Sequence, residues 1–433
     1  MTVATAKGNK VQVVVSESGQ AGLPGVNGTD GAGFNNVRKS ILDNPLLSLF
    51  KKNKLEDVIS GSLTWWRSTI ATYIDIYGVV KTAAINEPRA ETSGWLIEGS
   101  STNLFTYSSE FDNAIWSNVR ATITPLAGIA PDGTSTAYLI DNDGTPSAAY
   151  LEQKSTPDPS AMYTLSLFAK ANQSGYLNLR YRSLDGVERS ATFDLNNGTT
   201  DASTAVSSSI KPISNGWFRI SATFDSLTGS DSGAGRCFIF NPVTSSGNSV
   251  FIWGSQCEKL SFPSSYIDTQ ASTTTRTSDR VSSTGDNNVT RGSDSFTFTG
   301  RFKVLGHDSA NRLWTFGASN LSSDSSYITI NDGAKAYFTN NLNVYQFGQL
   351  VDFDTEFYFS LTYTDVEINM YVNGVGDNEN PISTVGGFES IPNKITFGSN
   401  YNTYDNFLYG HILDFKVYDS ALNEEEVKFL SGV

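Results

Sequence analysis

The sequence predicts a mainly β protein, built from tandem antiparallel β-sandwiches that follow a short N-terminal neck. Three observations carry this prediction. Apolar and polar residues alternate over many short segments, for example at Phe296, Phe298 and Phe302, which is the pattern of strands with one buried face. Turn-forming Asn, Asp, Gly and Ser separate these segments, as between consecutive antiparallel strands, and Asn373-Gly374 and Asp332-Gly333 are predicted hairpin turn pairs. A three-residue glycine period near the N-terminus sets the neck apart from the sandwiches.

The composition favours folded domains and argues against several classes of function. A length of 433 residues corresponds to about three domains. Apolar residues make up 39% and aromatic residues 12%, which is enough for real cores. The balance of 30 basic against 44 acidic residues gives a net charge of -14. We therefore expect no nucleic-acid partner, because phosphate binding needs a basic surface.

The low numbers of histidine and cysteine argue against several further kinds of chemical site. Two histidines in the whole chain argue against histidine-rich metal sites and a Ser-His-Asp triad. Two cysteines, Cys237 and Cys257, allow at most one disulfide, and we interpret them as half-buried thiols whose pairing stays open. The chain has neither the apolar core of a signal peptide nor a run of about 18 apolar residues. We expect synthesis in a cytoplasm and no membrane insertion.

Residues 1–33 are predicted to form an N-terminal attachment segment with collagen-like repeats. Only glycine fits the axis of a triple helix, so a three-residue glycine period is its signature. Two interpretations stay open: a flexible glycine-rich linker, or a short triple-helical neck that would make the protein a homotrimer. The period comprises Gly19, Gly22, Gly25, Gly28 and Gly31.

Residues 34–60 are predicted to form a helical neck. Asn44 followed by Pro45 has the pattern of an N-cap with proline in the first turn. An apolar face follows, which neighbouring copies of the chain could bury. Its members are Leu46, Leu49 and Phe50.

The remaining chain is divided by composition. Thr269 to Asp294 holds 12 Ser or Thr among 26 residues and no aromatic residue, which indicates a connector. Asn423 and Glu426 have the spacing of a capping box and predict a closing helix, with Val427 and Leu430 facing inward. The predicted units are a small β segment at 61–103, a sandwich at 104–268, a linker at 269–293 and a sandwich at 294–433.

Three stretches resemble bacteriophage tail fibre and tail spike proteins. Residues 251–276 are similar to a strand that ends a jelly-roll domain in such proteins. Residues 410–430, with Tyr371 to Gly374, are similar to the closing strand and helix of laminin-G or concanavalin-like sandwiches. The stretch most specific to phage is 65–104, through Arg67, Ala71 to Tyr73, Gly78-Val79, Pro88-Arg89, Leu96 to Gly99 and Thr102 to Leu104.

The resemblance implies both a fold and a function. Residues 163–171 and 215–224 resemble carbohydrate-binding jelly rolls, so the expected order is a jelly roll followed by a concanavalin-like sandwich. Trp217 and Trp253 belong to the shared motifs, and we interpret both as core residues. The implied function is a virion tail fibre or receptor-binding protein that attaches to a bacterial surface polysaccharide or lipopolysaccharide. Its N-terminal part would join other tail or baseplate proteins, and the protein would be a homotrimer.

No catalytic motif is present in the sequence. We find no nucleophile elbow, zinc-protease, P-loop or dinucleotide fingerprint, and therefore predict a protein that is not an enzyme. The alternatives are a tail-associated polysaccharide depolymerase or esterase, and a purely structural fibre component. No cofactor is expected. Calcium is conceivable at loops such as 376–381, although a solvated turn is the preferred interpretation there.

The predicted ligand-binding residues lie in one loop of the C-terminal sandwich. Aromatic rings can stack on sugar rings, while Asn and Asp side chains bind hydroxyl groups. A weaker second choice is segment 339–347, with Asn340, Asn341 and Tyr345. A polar turn that packs on a neighbouring chain is the alternative for the first loop. The predicted residues are Asn400, Tyr401, Asn402, Tyr404 and Asp405.

Overall fold

A computed structural model gives the architecture of most of the chain. The residues it describes are 47–49, 63–143, 149–173, 175–241, 249–283, 295–306, 310–317, 326–331, 335–340, 344–376, 382–383, 394–399 and 407–432. Strands dominate this part of the chain, which confirms the predicted mainly β class. None of its helices is long and apolar enough to cross a membrane.

The described elements are numbered in chain order. The first group is β1 (Leu47–Leu49), β2 (Leu63–Trp66), β3 (Ala71–Ile74), β4 (Val80–Ala83), β5 (Arg89–Glu91), β6 (Gly94–Ile97) and β7 (Ser101–Asn103). The second group is β8 (Ser117–Val119), β9 (Ala121–Gly128), β10 (Ala137–Asn142), β11 (Ala149–Lys154), β12 (Ala161–Ala171), β13 (Tyr176–Arg182), β14 (Glu188–Asp194), β15 (Thr199–Ser203), β16 (Ser207–Pro212), β17 (Phe218–Ser226), β18 (Arg236–Asn241) and β19 (Ser249–Glu258). The third group is β20 (Thr274–Arg276), β21 (Arg280–Ser283), β22 (Phe296–Val304), β23 (Ala310–Gly317), β24 (Ser326–Asn331), β25 (Lys335–Asn340), β26 (Val344–Leu350), β27 (Glu356–Tyr363), β28 (Glu367–Val372), β29 (Val375–Gly376), β30 (Ile382–Ser383), β31 (Lys394–Phe397), β32 (Gly410–Tyr418) and helix α1 (Glu424–Ser431).

The second group forms the central sandwich. One six-stranded sheet has the order β16-β17-β12-β19-β10-β9, and the other has the order β15-β14-β13-β18-β11-β8. Alternate side chains of both sheets meet in one apolar core, where Tyr181 stacks on Tyr163 and on Phe224. Both sheets lie within the range 104–268 that was predicted to form a sandwich, and alternate side chains of their strands face inward because the side-chain period of a strand is two residues.

The third group forms most of the C-terminal sandwich. Its larger sheet has the order β29-β28-β27-β22-β32-β6-β5, with β30 beside β28 and β1 beside β32. The facing sheet has the order β2-β21-β31-β23-β24-β25-β26. The predicted alternation of Phe296, Phe298 and Phe302 is confirmed, since all three side chains are buried in the core between these sheets.

The predicted small β segment at 61–103 is not a separate unit. Strand β2 belongs to one sheet of the C-terminal sandwich, and strands β5 and β6 belong to the other. Trp65 and Trp95 meet in its core, with ring centroids 5.8 Å apart. Hairpin β3–β4 instead packs on the central sandwich through Val80. The segment therefore connects the two sandwiches because its own apolar surface is too small for an independent core.

The predicted linker at 269–293 is wrong over residues 269–283. Strand β20 pairs with β7, and β21 joins the C-terminal sandwich between β2 and β31. Arg276 and Asp279 are each only 1% exposed. Some of the Ser and Thr residues that indicated a connector lie in paired strands or make hydrogen bonds, such as that from Ser68 Oγ to Thr277 Oγ1, 3.1 Å. Residues 284–294 lie outside the described part.

This arrangement predicts protease resistance. Trypsin should leave the bonds after Arg276 and Arg280 intact in the folded protein, because both residues lie in paired strands and Arg276 is buried. Mass spectrometry of a timed digest measures this, and the urea-unfolded chain, cut at both sites, is the control. An early fragment that ends at Arg276 would contradict the arrangement.

The predicted helical neck at 34–60 is wrong at its centre. Leu47–Leu49 is strand β1, which pairs antiparallel with residues 415–417 of β32. Strand β6 covers the same edge of β32 only at 410–412, so the adjoining hydrogen-bonding groups are free to receive β1. A short helix is marginal by itself, and this pairing outweighs its propensity. The rest of the neck and the glycine register lie outside the described residues.

Local signals near the C-terminus are confirmed. Asn423 caps helix α1, its side chain accepts from the Glu426 amide, and Glu426 returns a bond to the Asn423 amide. Val427 is buried and Leu430 packs beside it, as expected. Asn373 and Gly374, with φ of 50° and 76°, form the tight turn between β28 and β29. The other predicted turn pair, Asp332-Gly333, lies outside the described residues.

The two cysteines face each other across the core of the central sandwich. Cys237 is 1% exposed and Cys257 is fully buried, so both are more buried than the sequence indicated. Their sulfur atoms are 3.9 Å apart and both thiols are free. The contact with Cys237, together with burial, raises the pKa of the Cys257 thiol. A thiol with a raised pKa is a poor nucleophile, so these cysteines serve the core.

Candidate functional site

A buried ion network holds together the elements that build the site. Arg89 lies between two carboxylates: its Nη1 is 2.7 Å from Glu98 Oε2, and its Nη2 bonds to Asp279 Oδ2. Arg67 Nη1 is 2.8 Å from the other oxygen of Asp279. Arg276 Nη2 is 3.4 Å from Glu98 Oε2. Three arginines therefore share two carboxylates, and all five side chains are at most 3% exposed.

The network controls the charge of its members. Burial opposes the ionisation of Arg89, but Asp279 and Glu98 outweigh it and raise the pKa of Arg89. Burial would likewise raise the pKa of Glu98, yet the charges of Arg276 and Arg89 lower it to about 2. The pairs thus remain ionised inside the protein, where leaving any partner unpaired would be costly.

Residues of segment 65–104, which resembles phage tail proteins, belong to this network and to a neighbouring set of hydrogen bonds. Arg67, Arg89 and Glu98 were quoted for the resemblance, and all three are buried structural residues. Asn103 of the same segment donates from Nδ2 to the carbonyl oxygens of Ser255, 3.1 Å, and Ile267, 2.9 Å. The motif therefore joins the segment to the two sandwiches.

Hairpin β3–β4 lies on the outer face of the β16-to-β9 sheet. Val80 packs there among aromatic side chains, and its amide donates to the Pro131 carbonyl at 3.0 Å. At the turn, Ser214 Oγ donates to the Gly78 carbonyl at 2.8 Å. Gly78 has φ of +76°, and a Cβ there would lie 2.7 Å from the Ser214 nitrogen, so glycine permits this close approach.

The aromatic side chains beneath the hairpin are Phe168, Trp253 and Tyr266. Trp253 lies 4.9 Å from Tyr266 and 5.4 Å from Phe168 between ring centroids. Its Nε1 donates to Thr136 Oγ1 at 3.1 Å. Trp217 is also buried here, so the interpretation of both tryptophans as core residues is confirmed. Phe168, Trp253 and Tyr266 thus form a mostly apolar surface beside the hairpin, which we call the floor.

A cleft of about 430 Å³ opens between the hairpin and this floor. We call it the hairpin cleft. Hydroxyl groups, carboxylates and aromatic rings line it together. Its lining residues are Thr72, Val80, Thr82, Ser109, Glu110, Leu126, Asp132, Thr134, Thr136, Tyr138, Trp253, Tyr266 and Asp268.

The hairpin cleft carries negative charge. Glu110, Asp132 and Asp268 line it, and none of the described lining residues is cationic. Asp268 Oδ1 accepts from Tyr266 Oη at 2.9 Å and from Ser109 Oγ at 3.1 Å. The cleft therefore suits a neutral or cationic ligand that donates hydrogen bonds, and it repels anions.

The tyrosines of the hairpin cleft remain protonated donors. Burial, followed by the hydrogen bond to Asp112, raises the pKa of Tyr138, whose Oη lies 2.7 Å from Asp112 Oδ1. Burial and the charge of Asp268 raise the pKa of Tyr266 in the same direction. Both phenol hydroxyls donate to a carboxylate, Tyr138 to Asp112 and Tyr266 to Asp268, and these hydrogen bonds orient the carboxylate oxygens.

The residues predicted from the sequence to bind ligand are not among the residues that the structure describes. Residues 400–406 fall outside the described part, as do Asn341 and the calcium candidate loop at 377–381. No group of three or more His, Cys, Asp or Glu side chains in the described part could hold a metal ion. The flanking Gly398 and Leu408 join through a 2.9 Å backbone bond.

Strand β1, which lies within the predicted helical neck, pairs directly with β32 of the C-terminal sandwich. The sequence signal for the hairpin cleft was present in part, since Trp253 and Tyr266 belong to the quoted stretch 251–276. Nothing local showed that Thr72 and Thr82 would lie beside them.

Comparisons with known proteins add little to this description. No protein-family model matches the chain, and no curated protein matches it. Among solved structures, a heptameric SAP-like pentraxin from Limulus polyphemus is 13% identical, with a TM-score of 0.27 over 32% of this chain and 70% of its own. The carbohydrate-binding module CBM40 of a Ruminococcus gnavus IT-sialidase, bound to α2,3-sialyllactose, has the same identity and TM-score over 32% and 84%.

A third similar structure is the binding domain of botulinum neurotoxin serotype G. It is 14% identical, with a TM-score of 0.28, and the match covers 35% of this chain but only 40% of the toxin domain. TM-scores this far below 0.5 carry no argument about this chain. The assignment of the present chain as an antiparallel β-sandwich protein therefore rests on the strand order and pairing of its own sheets.

Proposed function

We propose that this chain is a glycan-binding protein whose ligand occupies the hairpin cleft, and that it serves a virion tail as a non-enzymatic receptor-binding protein. The observation that carries the binding proposal is the cleft itself. Threonine hydroxyls, carboxylates and an aromatic floor converge in about 430 Å³. Sugars present many hydroxyl donors on an apolar ring, and such a lining complements both.

The negative charge of the cleft restricts the class of glycan that can bind there. Its carboxylates face a ligand without cationic help from the described lining, so a carboxylated or phosphorylated glycan is disfavoured there. We therefore propose a neutral or amino-bearing segment of a bacterial surface polysaccharide or lipopolysaccharide. Binding to one cleft would be weak, and repeated copies on a virion would strengthen attachment through avidity.

The non-enzymatic part of the proposal has separate support. Glycoside cleavage uses a carboxyl whose pKa is raised. Burial raises the pKa of Glu258, but its carboxylate accepts from Ser101 Oγ at 2.6 Å and from the Ser264 amide at 3.0 Å, and it does not line the cleft. Release of oligosaccharides from capsule by the purified protein would contradict this part and favour the depolymerase alternative.

The virion assignment rests on the resemblance of 65–104, 251–276 and 410–430 to phage tail fibres. Trimer formation rests on the glycine register at Gly19 to Gly31, outside the described residues. Partners among tail or baseplate proteins would contact the N-terminal part. The jelly-roll and concanavalin-like assignments of the two sandwiches belong to the same proposal.

Substitution of Thr82 by tryptophan tests the cleft. Thr82 is exposed on β4 and lines the cleft, so an indole there should fill the space without disturbing a core. We expect at least a ten-fold loss of binding on an array of purified bacterial capsular polysaccharides and lipopolysaccharides. Thermal melting, measured in parallel, should stay unchanged.

The matched control is Thr200→Trp, which adds the same bulk to exposed strand β15, away from the cleft lining. It should bind as the parent does. If Thr82→Trp binds normally while the Tyr401→Ala, Tyr404→Ala double variant does not, the ligand belongs to the loop at 399–407. If the parent binds no polysaccharide, the structural-fibre alternative is favoured.

A further inference from the structure

A second, smaller cavity lies where hairpin β3–β4, the central sandwich and the C-terminal sandwich meet. Its volume is about 190 Å³, and we call it the junction cavity. Basic side chains reach it from four different strands, β16, β17, β22 and β32. They are Lys211, Arg219, Lys303 and His411. Such a concentration is unexpected in a chain with a net charge of -14.

The carboxylates around this cavity are already occupied. Glu98 belongs to the ion network and also accepts from Ser265 Oγ at 2.7 Å. Glu91 accepts from the Ile74 amide through Oε1 and lies 2.8 Å from His411 Nε2 through Oε2. The two lysines share one carboxylate, since Asp354 lies 2.8 Å from Lys211 Nζ and 3.0 Å from Lys303 Nζ. Positive charge therefore exceeds its local compensation.

Arg219 adds a buried cation to this excess. Its guanidinium donates to Ser166 Oγ at 2.7 Å and to the Gly254 carbonyl at 3.2 Å, and lies 4.4 Å from the Phe168 ring centroid. These partners are neutral, and no ion pair of Arg219 occurs within the described residues. Burial lowers the pKa of Arg219 to about 10, with a partial offset from Glu258. The site thus holds a desolvated cation in need of negative charge.

His411 provides an independent observation. It is 4% exposed and lines the cavity, and its Nδ1 is buried without a hydrogen-bond partner in the described structure. Buried polar atoms are nearly always paired, and this one belongs to a residue of the cavity wall, where a ligand atom could pair with it. Nε2 lies beside Glu91, so an N–H at Nδ1 would be available to an acceptor in the cavity.

We propose that the junction cavity binds a compact oxyanion, a phosphate or carboxylate group, between Lys211, Arg219, Lys303 and His411. Charge-assisted hydrogen bonds from lysine, arginine and imidazolium groups are the strong recognition elements for such anions. The anion could be free phosphate or an acidic group carried by a sugar. The junction cavity shares Thr72, Val80 and Tyr266 with the hairpin cleft but favours a ligand of opposite charge, so each proposal has its own test.

Calorimetric titration of the full chain with inorganic phosphate and with glucuronate tests this site, using sodium chloride of matched ionic strength as the blank. We expect saturable binding of one probe or both. Binding of phosphate alone assigns a phosphate group, and binding of glucuronate alone assigns a sugar carboxylate. Absence of saturable binding for both probes would overturn the proposal.

Variants locate the binding. Lys211 is 47% exposed in its side chain, so Lys211→Gln removes one donor without a core defect and should weaken binding at least five-fold. Lys259→Gln is the matched control: its lysine is also exposed, pairs with Asp158 at 2.8 Å and does not line the cavity. Equal weakening by both variants would overturn the assignment. Thr82→Trp should leave anion binding unchanged, which separates this site from the hairpin cleft.

Discussion

Replacement of Arg89 by methionine should lower the free energy of unfolding by about 3–5 kcal/mol, the cost of breaking a buried ion pair. Arg89 is fully buried and binds Glu98 and Asp279. Without Arg89, Glu98 would keep only its 3.4 Å ion pair with Arg276, and Asp279 would keep only its 2.8 Å ion pair with Arg67. Methionine keeps most of the side-chain volume, so the loss measures charge and hydrogen bonding rather than a cavity.

The experiment is urea unfolding followed by tryptophan fluorescence and far-UV circular dichroism. Arg180→Met is the matched control, because Arg180 pairs with Glu188 at 3.0 Å on the surface, where both side chains are about one-third exposed. That loss should stay below about 1 kcal/mol. Equal losses for the two variants would show that the network contributes no more than a surface pair. Cooperativity should also drop if the network couples the two sandwiches.

Acid should destabilise the protein through Glu98. Its pKa is about 4.5 as an ordinary group and is lowered to about 2 in the folded chain by Arg276 and Arg89. The folded state therefore keeps Glu98 ionised while the unfolded state takes up a proton. Stability from this group is fully present above pH 4.5 and is lost as the pH falls towards 2. The loss over that window is about 3 kcal/mol.

Urea midpoints measured from pH 6 to pH 2 should show this fall, and Glu98→Gln should flatten it. The variant will be less stable at neutral pH, so the slope rather than the absolute value is compared. Asp185→Asn is the control, since hydrogen bonds from Arg189 and the Val187 amide lower the pKa of Asp185 at an exposed position. Solvent screens an exposed ion pair, so the contribution of Asp185 to the slope should be smaller than that of Glu98. A parental slope in Glu98→Gln would contradict the role of the network.

Sequence by itself determined the features that depend on neighbours along the chain. Alternation at Phe296, Phe298 and Phe302 predicted a half-buried strand, because the side-chain period of a strand is two residues. Asn423 and Glu426 predicted the start of α1, because a capping box lies within four residues. The mainly β class followed from many such local patterns.

Tertiary structure alone decided which distant segments meet. Arg67 and Asp279 are 212 residues apart in sequence, so neither showed a partner, and the Ser- and Thr-rich stretch around Asp279 was interpreted as a linker. Leu47–Leu49 became a strand because an open edge of β32 offered hydrogen bonds that outweighed a weak helical preference. The cleft follows the same rule: Thr82 and Trp253 have no local relation, and burial of Val80 on an aromatic sheet face brings them to one cavity.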